Sequence, residues 1–226
     1  GDISKVNPNE LPDMDLFTYS FPCQDLSIAG KKEGLKEGTR SGLLYECEKI
    51  IEVKKPKYLL LENVKNLVGK QFKNDFDKWL NYLEGLGYKN YWKVLNAKDY
   101  RVPQNRERVF VVSILGEHKP YTFPQPIKLN RAIKDILEDT VEDKYYFKSA
   151  TNTRLDDFLS KMAKFEGDIV TCDSTIYNPK KINIANCIAA RYDAGIQNKQ
   201  SIGVAVIDRR FEGDKARKLT PLECWR

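Results

Sequence analysis

Histidine is nearly missing from this chain, with His118 the sole example in 226 residues. The five cysteines, Cys23, Cys47, Cys172, Cys187 and Cys224, stand far apart, and no two form a Cys-x-x-Cys pair. The scarcity of both ligand types excludes a zinc centre, and no metal is expected. An odd number of unclustered thiols predicts reduced cysteines and a cytoplasmic setting. No apolar run approaches the roughly 18 residues of a membrane span. No signal peptide is visible, and the chain begins Gly1-Asp2 without an initiator methionine. Nor does it open on the strand and Gly-rich turn with which cofactor-binding α/β folds usually start. At the other end, Thr220-Pro221-Leu222-Glu223 reads as a helix start, with a Thr cap, Pro at the first position and a Glu reaching back. The chain stops within that helix, at Arg226, so it is expected to be part of a larger protein.

What is present is a globular composition: 41% hydrophobic and 31% charged residues. The length suits one large domain or two small ones. The net charge is +6, and residues 180–226 carry +5 of it, with ten Lys or Arg against five Asp or Glu. A basic end suits a polyanionic partner, although scattered Lys and Arg equally make an ordinary solvated surface.

Residues 14–115 alternate strand and helix signals. Strands are expected at 16–20, 58–61, 91–95 and 109–114. Between them, Leu43, Leu44, Cys47, Ile50 and Ile51 recur at helical spacing up to Pro56. Phe76, Trp79, Leu80 and Leu83 mark a second helix, which ends near Gly85-Leu86-Gly87. This alternation predicts an α/β fold with a mostly parallel, Rossmann-like sheet. Pro120, Pro124 and Pro126 then make a stiff linker. Beyond it, short helices are expected after Asn130 and around Leu155, Phe158, Leu159 and Met162. Strands are expected at 169–170, 187–189 and 202–207, giving a smaller, mixed, strand-rich second domain.

Phe21-Pro22-Cys23-Gln24 follows the first apolar strand and is broken from it by Pro22. A cysteine is thereby offered at the C-terminal edge of the sheet, where such folds keep their chemistry. A thiol there acts as a nucleophile if neighbouring cations draw it toward thiolate, and is otherwise a small buried hydrophobe. Glu62-Asn63-Val64 ends a second apolar strand, and Gln104-Asn105-Arg106-Glu107-Arg108 begins another. A carboxyl emerging from a buried strand is expected to be partly desolvated, which raises its pKa; a Glu there also serves as a simple loop cap. Arg106 and Arg108 alternate and are expected on one side of their strand, where their planar forks suit Glu62 or a phosphate.

These blocks, together with Gly1-Asp2-Ile3 and Arg217-Lys218-Leu219-Thr220-Pro221, occur in the order found in the DNA (cytosine-5)-methyltransferase family, which the chain resembles. Ser27-Ile28-Ala29-Gly30 is similar to its mobile catalytic loop, and Lys93-Val94-Leu95-Asn96-Ala97 to the strand before the arginines. The likeness is strong over 1–115 and 217–226 and weak between, where the family varies its target-recognition domain. It implies a catalytic domain over 1–118, a target-recognition domain over 119–216 and a return segment over 217–226. It implies methyl transfer from S-adenosylmethionine to carbon 5 of a cytosine rotated out of double-stranded DNA. Cys23 is then the nucleophile, Glu62 its acid partner, and Arg106 and Arg108 the cationic anchors. Asn63 takes a structural role. Asp2, Ile3 and Pro22 are implied for the cofactor, with Asp2 on its adenine. Gln24, Ser27, Arg40, Gln104, Arg191, Arg209 and Arg217 are implied for DNA. The Phe-x-Gly-x-Gly turn that the family uses for the cofactor is absent from these 226 residues. The protein is expected to be a monomer of bacterial or phage origin. Two other readings stay open: a nucleic-acid-binding fragment without catalysis, and a transfer-RNA methyltransferase.

Overall fold

The structure, a computed structural model, describes residues 2–21, 43–147, 153–173, 179–187, 204–210 and 215–225, leaving aside the side chains of 153 and 154. Pro22, Cys23, Gln24, Ser27, Arg40 and Arg191 lie outside them. The chain divides into two compact units, residues 1–95 with 107–125 and residues 96–106 with 126–226.

The first unit begins with two 3-10 turns and strand β1 (Leu16–Tyr19). Helix α1 (Leu44–Lys54) buries Leu44, Cys47, Ile50 and Ile51, the spacing that one helical face requires. It stops where Lys55 takes a left-handed conformation (φ 44°), just before Pro56, whose ring bars a further turn. Strand β2 (Tyr58–Val64) follows and buries Leu59, Leu61 and Asn63, the period-two pattern of a pleated strand. Helix α2 (Lys73–Gly85) buries Phe76, Trp79 and Leu83. Gly87 (φ 93°) supplies the turn out of α2, and strand β3 (Tyr88–Asn96) leaves it. A final strand, β5 (Glu107–Leu115), inserts between β2 and β3, giving the order β1-β2-β5-β3. Pair β1–β2 is parallel and β2–β5 antiparallel. The α/β class is as expected, with a mixed sheet. A parallel neighbour requires a crossover of about a dozen residues or more, and the 97–106 connection into β5 holds no α-helix.

Helix and sheet of this unit are tied by polar as well as apolar contacts. Trp79 Nε1 donates to the hydroxyl of Tyr19 at 3.1 Å, and the Tyr88 hydroxyl donates to the Pro56 carbonyl at 2.7 Å. Each large side chain buried here contributes roughly 1.5–3 kcal/mol of transfer free energy.

The second unit is built on an antiparallel sheet of β6 (Ile169–Asp173), β8 (Val204–Asp208) and β9 (Lys215–Lys218), in the order β6-β8-β9. Every residue of β8 is buried. Its alternate residues serve two cores. Ala205 and Ile207 join Leu155, Phe158 and Met162 of helix α3 (Thr153–Met162), while Val204 and Val206 join Ile133, Ile136 and Leu219. The helix expected after Asn130 is a single 3-10 turn, Ile133–Ile136. A parallel ribbon pairs β4 (Gln104–Asn105) with β7 (Ala185–Asn186). The last element, α4 (Pro221–Trp225), starts as its sequence proposed: Thr220 Oγ1 accepts from the Glu223 amide at 3.2 Å, and the Thr220 amide donates to Glu223 Oε2 at 2.8 Å.

Candidate active site

The C-terminal ends of β1 and β2 are joined by side chains rather than by the ladder alone. Ser20 Oγ donates to the carbonyl of Glu62 at 2.8 Å. Buried Asn63 donates through Nδ2 to the carbonyl of Phe21 at 3.1 Å, and its Oδ1 accepts from the Val64 amide at 2.8 Å. Phe21 itself is buried. Chain residues 20 and 21 are thus held against residues 62 and 63. Cys23, two positions further on, lies outside the described residues.

The period-two alternation that buries Asn63 sends Glu62 the other way. On β5, Arg108 stands opposite Val64 and Phe110 opposite Glu62, so Glu62 and Arg108 are diagonal neighbours on one face. Arg108 Nε meets Glu62 Oε1 at 3.0 Å, with the two side chains 17% and 38% exposed. Desolvation of Glu62 is therefore partial. The guanidinium beside it fixes the orientation of the carboxyl group. A second Arg108 donor, Nη1, holds the Glu107 carbonyl at 2.8 Å.

Arg106 precedes β5 and belongs to the second unit. Its amide donates to Asn96 Oδ1 at 3.0 Å, and its carbonyl accepts from the Ala97 amide at 3.1 Å. Its Nη1 reaches Cys187 Sγ at 3.4 Å. Gln104 sits in β4, half-buried, with its neighbour Asn105 bonded to Asn96 Nδ2 at 2.7 Å.

Asp2 is exposed and caps the first 3-10 turn, its Oδ1 accepting from the amide and hydroxyl of Ser4 at 3.1 and 2.8 Å. Ile3 packs against the core of the first unit. A solvent-facing carboxylate beside an apolar side chain fits one end of S-adenosylmethionine: an acceptor for an adenine amine and a surface for its ring.

Two arginines expected at DNA are engaged elsewhere. Arg217 is fully buried, with Nη1 and Nη2 each 2.8 Å from a different oxygen of Glu223. No surface of its guanidinium is left for a base edge or a phosphate, which corrects the DNA-contact expectation for this residue. Arg209 donates to the carbonyls of Met162 at 3.2 Å, Gly167 at 3.2 Å and Phe165, closing the C-terminal end of α3. Among the remaining cysteines, Cys47 and Cys172 are buried, and burial raises both thiols, Cys47 to about 11. Cys187 is half-buried and Cys224 exposed, so Cys224 is not the small buried hydrophobe that an unclustered cysteine is expected to be. Sequence reasoning passed over Ser20, Asn96 and Cys187. Only Asn96 carried a signal, as a polar residue closing an apolar strand.

Among the described residues no group of three or more His, Cys, Asp or Glu could hold a metal ion, and no helix is long and apolar enough to cross a membrane. The family model for C-5 cytosine-specific DNA methylase matches residues 1–226. Type II methyltransferase M2.ScrFI of Lactococcus lactis subsp. cremoris is 59% identical over 151 residues, covering 66% of this chain and 42% of that protein. Type II methyltransferase M.SsoII of Shigella sonnei is 42% identical over 154 residues, covering 66% and 40%. Type II methyltransferase M.Bsp6I of Bacillus sp. (strain RFL6) is 33% identical over 236 residues, covering 99% and 70%. The matched stretch thus spans less than half the length of the first two of these relatives. Among solved structures, the S. pombe Dnmt2 methyltransferase superposes with a TM-score of 0.67 at 17% identity, over 99% of this chain and 69% of that one, a likeness of fold.

Proposed function

The chain belongs to the C-5 cytosine-specific DNA methylase family, and from that premise we propose that it methylates carbon 5 of a cytosine rotated out of duplex DNA, using S-adenosylmethionine. The donor supplies an electrophilic methyl group when bound. Asp2 and Ile3 would hold its adenine end, with Pro22 alongside.

Carbon 5 of cytosine is a poor nucleophile. The Cys23 thiolate adds to carbon 6, and the ring's π electrons move to carbon 5, which would then displace the methyl group from the donor's sulfonium, leaving a neutral thioether. A base from solvent would take the carbon 5 proton, the pair from that bond re-forming the carbon 5–carbon 6 double bond as the sulfur leaves as thiolate. Covalent addition replaces one hard step by easier ones. Glu62, protonated or sharing a proton with the base, is proposed to donate to ring nitrogen 3 and to accept from the exocyclic amine, offsetting charge that builds up as the sulfur adds. Arg108 orients that carboxyl group, and Arg106 meets the DNA. Gln24, Ser27, Arg40, Gln104 and Arg191 remain the proposed DNA contacts. Residues 1–118 are assigned to catalysis, 119–216 to target recognition and 217–226 to the return segment.

The observation that carries this reading is the tie between β1 and β2. Asn63 grips the Phe21 carbonyl while its neighbour Glu62 faces Arg108, so the chain enters the Cys23 segment beside a carboxylate already paired with a cation. Duplex DNA bearing 5-fluorocytosine tests the proposal, because fluorine at carbon 5 blocks the final elimination. With S-adenosylmethionine present, the full-length protein should form a covalent adduct at Cys23, and Cys23→Ser should form none. Wild-type protein that binds the duplex yet gives no adduct would sink the reading.

A further inference from the structure

We propose that Cys187 is a positioning residue for Arg106: its sulfur aims the guanidinium at DNA without neutralising it. The inference rests on the methyltransferase reading above. It joins a side chain from the proposed target-recognition residues to one from the catalytic motif.

The placement follows from register. Gln104 pairs with Ala185 and Asn105 with Asn186 in the parallel ribbon, so the next position sets Arg106 beside Cys187. The ribbon is pinned further by the Ala185 amide, which donates to the Pro103 carbonyl at 2.8 Å. Asn96 fixes the Arg106 main chain by taking its amide at 3.0 Å and bonding Asn105 at 2.7 Å. With the backbone held, only the side-chain torsions of Arg106 remain free, and the 3.4 Å contact from Nη1 to Cys187 Sγ restrains them.

The type of acceptor matters. Arg217 gives two donors to a carboxylate and Arg209 gives three bonds to carbonyls, so both are occupied. A thiol sulfur is a weak acceptor with no formal charge. It orients one N–H and leaves the cation and its other donors for a ligand. Among the described residues no carboxylate pairs with Arg106. The fork suits a phosphate or a base edge, where geometry decides strength.

The test is steady-state methylation and duplex affinity in the full-length protein. Cys187→Val removes the acceptor at similar volume and should raise KM for DNA about three- to tenfold, the size of one lost neutral hydrogen bond, with kcat held. Cys187→Ser, which restores an acceptor, should return to within about twofold of wild type. In an Arg106→Ala background Cys187→Val should add nothing, because the sulfur acts through that side chain. Thermal melting checks that each variant is folded, with Cys187→Ala as the replacement if the Val variant is not. Three results overturn the inference: unchanged KM in Cys187→Val, a Ser variant as impaired as the Val variant, or additive losses in the double variant. Wild-type protein that binds duplex without a fluorocytosine adduct fails the function reading instead. The affinity cycle between Arg106 and Cys187 still decides this one.

Discussion

Two Glu–Arg pairs divide the labour of this protein. Glu62 and Arg108 meet at one 3.0 Å contact on the first unit, with 38% and 17% of their side chains open to solvent. Arg217 and Glu223 meet twice at 2.8 Å in the second unit, with nothing exposed. Glu223 also takes the amides of Thr220 and Glu138, both at 2.8 Å, while Arg217 Nε has no partner among the described residues. An open pair whose carboxyl group is held by Arg108 alone among the described residues is equipped for a ligand. A closed pair, with its carboxylate already fully bonded, is equipped to hold β9, α4 and the 138 segment together. Ion pairing as such therefore says little about role; what the pair has left to offer decides it.

The contrast can be broken in order of effect. Glu62→Gln should lower methyl transfer by about 10²–10⁴-fold, the usual weight of a positioned acid–base group. Its unfolding free energy should shift by no more than about 1 kcal/mol, as for a solvent-open pair. Methylation assays and urea titrations on the same variant check both. Arg217→Ala should do the reverse, costing about 3–5 kcal/mol because it strands the Glu223 charge in the interior. A urea midpoint close to wild type would overturn the structural assignment of that pair. Asn63→Ala should cost roughly 1–3 kcal/mol from its severed buried hydrogen bonds, and should slow adduct formation at Cys23 as well.

Acid sharpens the comparison within the second unit. The Arg210 guanidinium, bonded to buried Asp208, holds that carboxyl below the usual carboxylate value. The stabilisation it contributes is complete above the unfolded value near 4 and is lost as pH falls through the lower folded value. Urea midpoints measured from pH 7 down to 3 should show that decline, and Asp208→Asn should flatten it. The smallest effect belongs to Cys224→Ser, a surface change expected within about 0.5 kcal/mol.

Much of the fold was legible because burial leaves a period. Leu44, Cys47, Ile50 and Ile51 announce α1, Phe76, Trp79 and Leu83 announce α2, and the Thr220–Glu223 box announces α4. The antiparallel entry of β5 was not legible, since strand direction depends on where the chain turns back and apolar patterning is blind to that. Within the site, Glu62 and Arg108 were visible as motif residues. Their pairing needed the β2–β5 register, in which Arg108 faces Val64 and so lies diagonal to Glu62.

Residue order alone was enough for class, family and the chemistry on offer, since motif spacing and periodicity are local properties of the chain. Which arginines are enclosed was a matter of packing. Arg108 and Arg217 look alike in one dimension, each next to a charged residue and near a strand. Only the folded chain encloses Arg217 with Glu223 and leaves Arg108 partly exposed beside Glu62, because burial is set by neighbours distant in sequence.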